Sequence, residues 1–289
     1  MSQEQGYKEE SRIPDLKLPA GACDTHCHVF GPTDIFPYAE KRSFTPPKEA
    51  SKDVLYALHR KLGIERCVIV QSACHGYDNS ATADGIASGG GNYLGVALTP
   101  VDVPLAELKA LYDQGFRGVR FNFMRHIAAG APIEEVVAMT PRLADAGMHL
   151  QVHMEADLID SVTAELRKSV VPVVVDHIGR VDASLGLAQA PFVALRRYLD
   201  EASDRYVKVS GCDRSTRTGP PYDDAVEFAA ALVREFPAQV LWGTDFPHPN
   251  HRGPIPDDGD LVDLIGRMAP EPALLKALMT DNPARLYGF

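Results

Sequence analysis

Ala22-Cys23-Asp24-Thr25-His26-Cys27-His28-Val29-Phe30-Gly31-Pro32-Thr33 reads as a buried strand that ends on two histidines and runs into a turn. Strand side chains alternate between faces, so His26 and His28 point the same way while Cys27 faces the opposite side. The turn decides the architecture. A doubly wound open sheet usually carries a glycine-rich phosphate turn after its first strand, and Val29-Phe30-Gly31-Pro32-Thr33 is not one. With 22–30, seven further apolar runs complete a set of strands: 66–72, 92–98, 118–123, 148–154, 171–177, 205–210 and 239–245. Runs such as Val170-Val171-Pro172-Val173-Val174-Val175 suit strands buried on both faces. Pro172 belongs at that strand's first residues, where a missing N–H is tolerated.

Amphipathic stretches with helical spacing separate the strands, most clearly at 53–62, 105–114, 133–146, 158–168, 192–202 and 224–236. Gly63, Gly115 and Gly147 follow three of them, as C-terminal caps do. Strand–helix alternation repeated about eight times predicts an α/β fold closed as a (β/α)8 TIM barrel. The 289 residues fit that barrel's typical ~250 with modest extensions. Residues 1–17 read as an N-terminal extension and 18–289 as one barrel domain.

Hydrophobic residues at 45% and charged residues at 24% are ordinary for a soluble globular enzyme. A net charge of −10 argues against a nucleic-acid partner, which needs a basic face. A few local arginines still allow a small anionic substrate. Five cysteines without framework spacing argue against a disulfide scaffold. The polar, charged start of the chain lacks a signal-peptide core, and no apolar run is long enough for a membrane span, so the cytoplasm is the expected location. A homo-oligomer is possible, but no feature indicates one.

Barrel enzymes place their chemistry at the C-terminal ends of the strands. His26, His28, Gln71, Asn122, His153, His177, Ser210 and Asp245 all close apolar runs. Convergence of imidazoles and one carboxylate from separate strands suits a divalent metal with an open water position. Zinc fits best, with manganese or another borderline metal open.

This pattern resembles the amidohydrolase superfamily, whose first strand carries His-x-His, fifth and sixth strands histidines, and eighth strand an aspartate. Those elements fall on His26, His28, His153, His177 and Asp245. The bridging lysine or glutamate of binuclear members has no counterpart in Gly118-Val119-Arg120-Phe121-Asn122, which implies a mononuclear site. The segments Asp24-Thr25-His26-Cys27-His28-Val29-Phe30-Gly31-Pro32, Cys74-His75-Gly76, Arg117-Gly118-Val119-Arg120-Phe121-Asn122-Phe123 and Trp242-Gly243-Thr244-Asp245-Phe246-Pro247-His248-Pro249 look like those of 2-pyrone-4,6-dicarboxylate lactonases. The similarity runs from about residue 18 to Asn282-Pro283-Ala284-Arg285-Leu286-Tyr287 near the end of the chain.

The departures are informative. His153 stands where those lactonases carry a tyrosine, Ala73 where they carry a serine, Phe44 for a tyrosine and His126 for an arginine, with Arg125 adjacent. Those lactonases work without a metal, so a histidine in place of the tyrosine restores a metal-ligand set of His26, His28, His153 and Asp245. The resemblance then implies the zinc-using 4-sulfomuconolactone hydrolases, which give maleylacetate and sulfite. Asp245 is the expected proton carrier, and His177 a carbonyl-polarising acid or a further ligand. Arg120, Arg125 and Arg214 are expected to hold the substrate's anions, with His75, His126 and His248 along the pocket. His248 alternatively orients Asp245.

By alternation Asp176 is expected to face away from the centre, and Asp24 to share the face of His26 and His28 as support. His59, His149 and His251 read as surface or packing residues. Rival readings are a true pyrone-dicarboxylate lactonase, a metal-dependent decarboxylase, a sugar-acid lactonase and a non-catalytic binder on the same barrel.

Overall fold

Val68, Val70, Leu94, Val96, Val174 and Leu241 face one another across the centre of an eight-stranded ring. The computed structural model describes residues 6–125, 131–251 and 253–289. Strands β1 (Cys23–Cys27), β2 (Arg66–Val70), β3 (Tyr93–Ala97), β4 (Phe116–Phe123), β5 (His149–Met154), β6 (Val173–Val175), β7 (Arg205–Lys208) and β8 (Val240–Leu241) lie in sequence order, each parallel to the next. Main-chain bonds draw the two edges together: Thr25 N–H to the Trp242 carbonyl at 2.9 Å, and Asp245 N–H to the His26 carbonyl at 2.7 Å. This is the barrel that the strand–helix alternation predicts.

The alternate strand residues, among them Cys27, Ile69, Val119, Val152 and Val175, pack outward against the helices. Those helices are α1 (Lys52–Leu62), α2 (Ser80–Ala87), α3 (Leu105–Asp113), α4 (Ile133–Ala138), α5 (Thr140–Asp145), α6 (Ile159–Leu166), α7 (Ala190–Asp200), α8 (Cys212–Ser215), α9 (Asp223–Glu235), α10 (Asp258–Met268), α11 (Pro272–Lys276) and α12 (Asn282–Tyr287). The single helix expected over 133–146 is two. Pro141 has no N–H to give the Val137 carbonyl, and the Thr140 hydroxyl donates to that carbonyl at 2.8 Å instead. Gly63, Gly115 and Gly147 sit at positive φ after α1, α3 and α5, as their spacing predicts.

Tyr287 of α12 stoppers the N-terminal end of the barrel, its ring 5.2 Å from that of His149. The opposite end holds the polar strand ends. Strands six and eight are shorter than the apolar runs 171–177 and 239–245 because the chain leaves extended geometry there. His177 and Asp245 adopt left-handed φ of 51° and 59°. Residues 11–16 are tied to α10 and its cap, with the Ser11 hydroxyl on Asp258 at 3.2 Å and the Leu16 N–H on Asp263 at 2.8 Å.

Candidate metal centre

Three imidazoles converge on one carboxylate oxygen. Asp245 Oδ1 lies 3.3 Å from His28 Nε2, 3.7 Å from His26 Nε2 and 3.8 Å from His177 Nε2. Two ligand atoms, each about 2.0–2.1 Å from one tetrahedral metal, stand roughly 3.4 Å apart. These spacings therefore suit a single divalent ion. His26, His177 and Asp245 are fully buried, and their ligand atoms lie within 4.8 Å of one another.

His153 sits one ring farther out, its centroid 5.5 Å from that of His177. Its Nδ1 faces the Asn122 side-chain oxygen at 3.3 Å. Nε2 of His153 and Nε2 of His26 are buried without a hydrogen-bond partner among the described residues. Buried polar atoms are ordinarily paired, and an unpaired His26 Nε2 3.7 Å from Asp245 Oδ1, with a second unpaired imidazole nitrogen on His153, is the chemistry of a metal-ligand set. The donor set fits the metal.

Electrostatics hold His26, His153 and His177 in the neutral form and Asp245 ionised. Burial pushes His26 and His153 well below the usual histidine range, with Lys208 adding to the effect at His26 and Arg120 at His153. His177 is pushed down to about 4 by burial, against the pull of Asp245. Burial alone would raise Asp245, but the Arg214 guanidinium, His177 and the bond to His28 outweigh it and hold the carboxyl well below its usual range. The result is that His26, His153 and His177 are held neutral close to an ionised Asp245.

Left-handed backbone aims the ends of two strands. His177, Arg180, Asp245 and His248 all have φ between 51° and 60°, a conformation costly for non-glycine residues and typical of sites that need a fixed geometry. Gly243 lets β8 approach β1, since a Cβ there would lie 2.5 Å from the His26 nitrogen.

The structure corrects two facing expectations. A register shift in β1 between Asp24 and Cys27 turns Asp24 off the face of His26. Asp24 instead faces His59 of α1 at 3.3 Å and accepts the Thr244 hydroxyl at 2.6 Å and the His26 N–H at 2.9 Å. Asp176, expected to face away, lies in the lumen 3.3 Å from His26 Nδ1. Parity in β6 sends Val174 and Asp176 inward, and His177 joins them only because its backbone breaks from the strand.

The expected substrate residues divide. Arg214 Nε bonds Asp245 Oδ2 at 2.5 Å, and Arg120 Nε bonds Asp176 at 2.8 Å deep in the lumen. Arg125 is largely exposed and pairs with Asp157. His75 is buried, its Nδ1 3.1 Å from the Pro37 carbonyl and its Nε2 without a hydrogen-bond partner among the described residues. His248 lines a cleft with Phe30, Phe44 and Lys48; its ring is fixed by Asp258 at 3.1 Å, and its backbone N–H donates to the Asp245 carbonyl at 2.7 Å. His126 lies outside the described residues. Of the residues read as surface or packing, His59 and His149 are buried packing residues, and the His251 side chain pairs with Asp213 at 3.2 Å.

Sequence reasoning missed Arg180 and Lys208. Arg180 follows the break after β6, where no periodicity remains to place it. Its guanidinium has no ion-pair partner among the described residues, and burial beside Arg214 depresses it to about 10. Lys208 carries a readable signal, a lysine in phase with Ser210 inside the apolar run Tyr206-Val207-Lys208-Val209. Among the described residues no helix is long and apolar enough to cross a membrane.

Residues 23–289 match a family model described as amidohydrolase. The chain is 44% identical over 282 residues to a 2-pyrone-4,6-dicarboxylate hydrolase of Comamonas testosteroni, covering 95% of this chain and 92% of that one. It is 40% identical over 287 residues to a 4-sulfomuconolactone hydrolase of Rhizobium radiobacter, covering 98% and 95%. A crystal structure from Agrobacterium tumefaciens, 24% identical, shares the fold with a TM-score of 0.85 over 96% of this chain and 98% of its own.

Proposed function

Since the chain belongs to the amidohydrolase family, we propose that it is a metal-dependent hydrolase of a small anionic lactone. The leading substrate is 4-sulfomuconolactone, opened to maleylacetate and sulfite. The observation that carries the reading is the set of three imidazoles gathered around Asp245 Oδ1, with His26 Nε2 and His153 Nε2 lacking hydrogen-bond partners among the described residues.

His26, His28, His153 and Asp245 would hold the metal, a donor set that suits zinc, with His177 as the neighbouring acid or a further ligand. When bound, such an ion generates a nucleophile from water at neutral pH and draws electron density from a carbonyl. Asp245 takes a proton at the carboxylate and returns it to the ring oxygen as the lactone C–O bond breaks. His177 Nε2 stands beside that carboxylate and can stabilise the developing oxyanion only while it bears a proton. Arg214 steadies Asp245, and Arg180 offers an uncommitted guanidinium to one substrate anion. In the opened product one carbon bears both oxygen and sulfonate. Its oxygen becomes a ketone as the C–S bond breaks and sulfite leaves with the electron pair.

Metal analysis of protein purified without chelators, followed by a sulfite assay with 4-sulfomuconolactone, tests the proposal. About one equivalent of divalent metal and one sulfite per ring opened are expected; turnover unaffected by metal stripping would refute it. Ring opening of 2-pyrone-4,6-dicarboxylate without sulfite release from the sulfolactone favours the second reading, which the similarity to the Comamonas hydrolase supports. Carbon dioxide release would indicate a decarboxylase.

A further inference from the structure

Beneath the imidazoles the lumen holds a closed polar cluster: Arg120 of β4, Gln151 of β5, Asp176 after β6 and Lys208 of β7, all buried. Asp176 Oδ2 accepts from Arg120 Nε at 2.8 Å, and Gln151 Nε2 donates to Oδ1 at 2.9 Å. Lys208 Nζ donates to the Thr25 carbonyl at 2.8 Å and to Gln151 Oε1 at 2.9 Å. Two cations and an amide thus fix one carboxylate in the buried lumen. An ionised group costs too much there to be incidental unless it is paired this fully.

Two members of the cluster touch His26. Asp176 Oδ1 lies 3.3 Å from Nδ1 and Lys208 Nζ 3.1 Å from the same atom. They ask opposite things of the ring. A carboxylate makes Nδ1 a donor, which leaves the lone pair on Nε2; an ammonium makes Nδ1 an acceptor, which puts the proton on Nε2. A proton on Nε2 would be a buried donor with no partner hydrogen-bonded to it, and it would also close that nitrogen to any ligand. Lys208 has a second outlet for its remaining N–H, because Asp176 Oδ1 is 3.6 Å away.

We propose that Asp176 is the positioning residue of the centre: it accepts a hydrogen bond from Nδ1–H of His26 and so presents the Nε2 lone pair beside Asp245. Arg120 and Gln151 hold Asp176, so Arg120 acts on the metal ligand rather than as a surface for substrate. The inference rests on the metal reading above. Metal-ligating histidines generally donate their other ring N–H in this way, and loss of such a partner costs about 10- to 100-fold in affinity.

The test is Asp176→Asn. Arg120 Nε demands the remaining oxygen, which turns the amide N–H2 toward His26 and forces Nδ1 to accept. Zinc affinity is read by competition with a chromophoric chelator, on protein shown to be folded by its thermal transition. The His26 tautomer is read from nitrogen-15 shifts of ring-labelled histidine in metal-free protein. Affinity is expected to fall about 10- to 100-fold as the proton moves to Nε2. Lys208→Met, which removes the competing donor, should keep the proton on Nδ1. Unchanged affinity and tautomer in Asp176→Asn overturn the inference and leave the metal reading standing. A wild-type protein that binds no divalent metal overturns both. Should Asp176→Asn fail to fold, the wild type decides alone: a proton on Nε2 of His26 overturns the proposal.

Discussion

Asp245 is claimed from two sides, and the division explains how it can be both anion and proton carrier. Arg214 occupies Oδ2 at 2.5 Å, while Oδ1 faces the imidazoles at 3.3–3.8 Å. Asp245→Asn keeps the shape and removes the charge. Turnover should fall by about 10²–10⁴-fold, with bound metal reduced in the same protein, as measured by kcat and metal content together. Arg180 lends itself to a different experiment. If its guanidinium binds a substrate anion, Arg180→Gln removes a charge-assisted bond of about 1.5–3 kcal/mol, so KM should rise roughly 10- to 100-fold with little change in kcat. A fall in kcat at constant KM would place Arg180 in the transition state instead. The ring of histidines and Asp245 was legible because each closes an apolar run. Asp176 was not, since reading His177 as inward assigned its neighbour the wrong parity, and only the left-handed φ of 51° at His177 lets both face the lumen.

In β1 the same limit appears: alternation predicts faces only while the strand stays regular. The register shift after Asp24 frees its carboxylate to clamp His26, Thr244 and His59, so the strand that leads into the two histidines is fastened to the end of β8 and to α1. No sequence pattern announces a bulge of that kind. The clamp has a pH signature. Burial opposes charge on His59, but its bonds to Asp24 and Cys27 win and raise it to about 9. A histidine raised above its unfolded value of about 6.5 stabilises the fold fully below that pH. The contribution is lost as pH rises through about 9. Denaturant unfolding should therefore show on the order of 3 kcal/mol less stability at high pH from this group. The difference should shrink in His59→Gln, and an identical pH slope in that variant would show that the Asp24–His59 pair carries no linkage.

The barrel as a whole separates a polar mouth from a packed base, and the two ends respond to acid through different residues. At the base His149 is wedged between Tyr287 and β4, where Gly118 is required because a Cβ would lie 2.4 Å from the imidazole ring. Both ring nitrogens lack hydrogen-bond partners among the described residues, and burial pushes the group down to about 3. The sign is opposite to that of His59. The unfolded chain takes up a proton at about pH 6.5 and the folded barrel resists until about 3. Stability is thus present above 6.5 and drains away as pH falls. Between pH 7 and pH 5 this one group should cost about 2 kcal/mol. His149→Phe keeps a ring against Tyr287 and removes the titration, so its loss over the same interval should be smaller by about that amount. Because His149 lies at the opposite end of β5 from His153, the variant should also leave zinc affinity at neutral pH unchanged. Equal acid sensitivity in variant and wild type would mean that the imidazoles at the mouth, not the base of the barrel, set the acid limit of the fold.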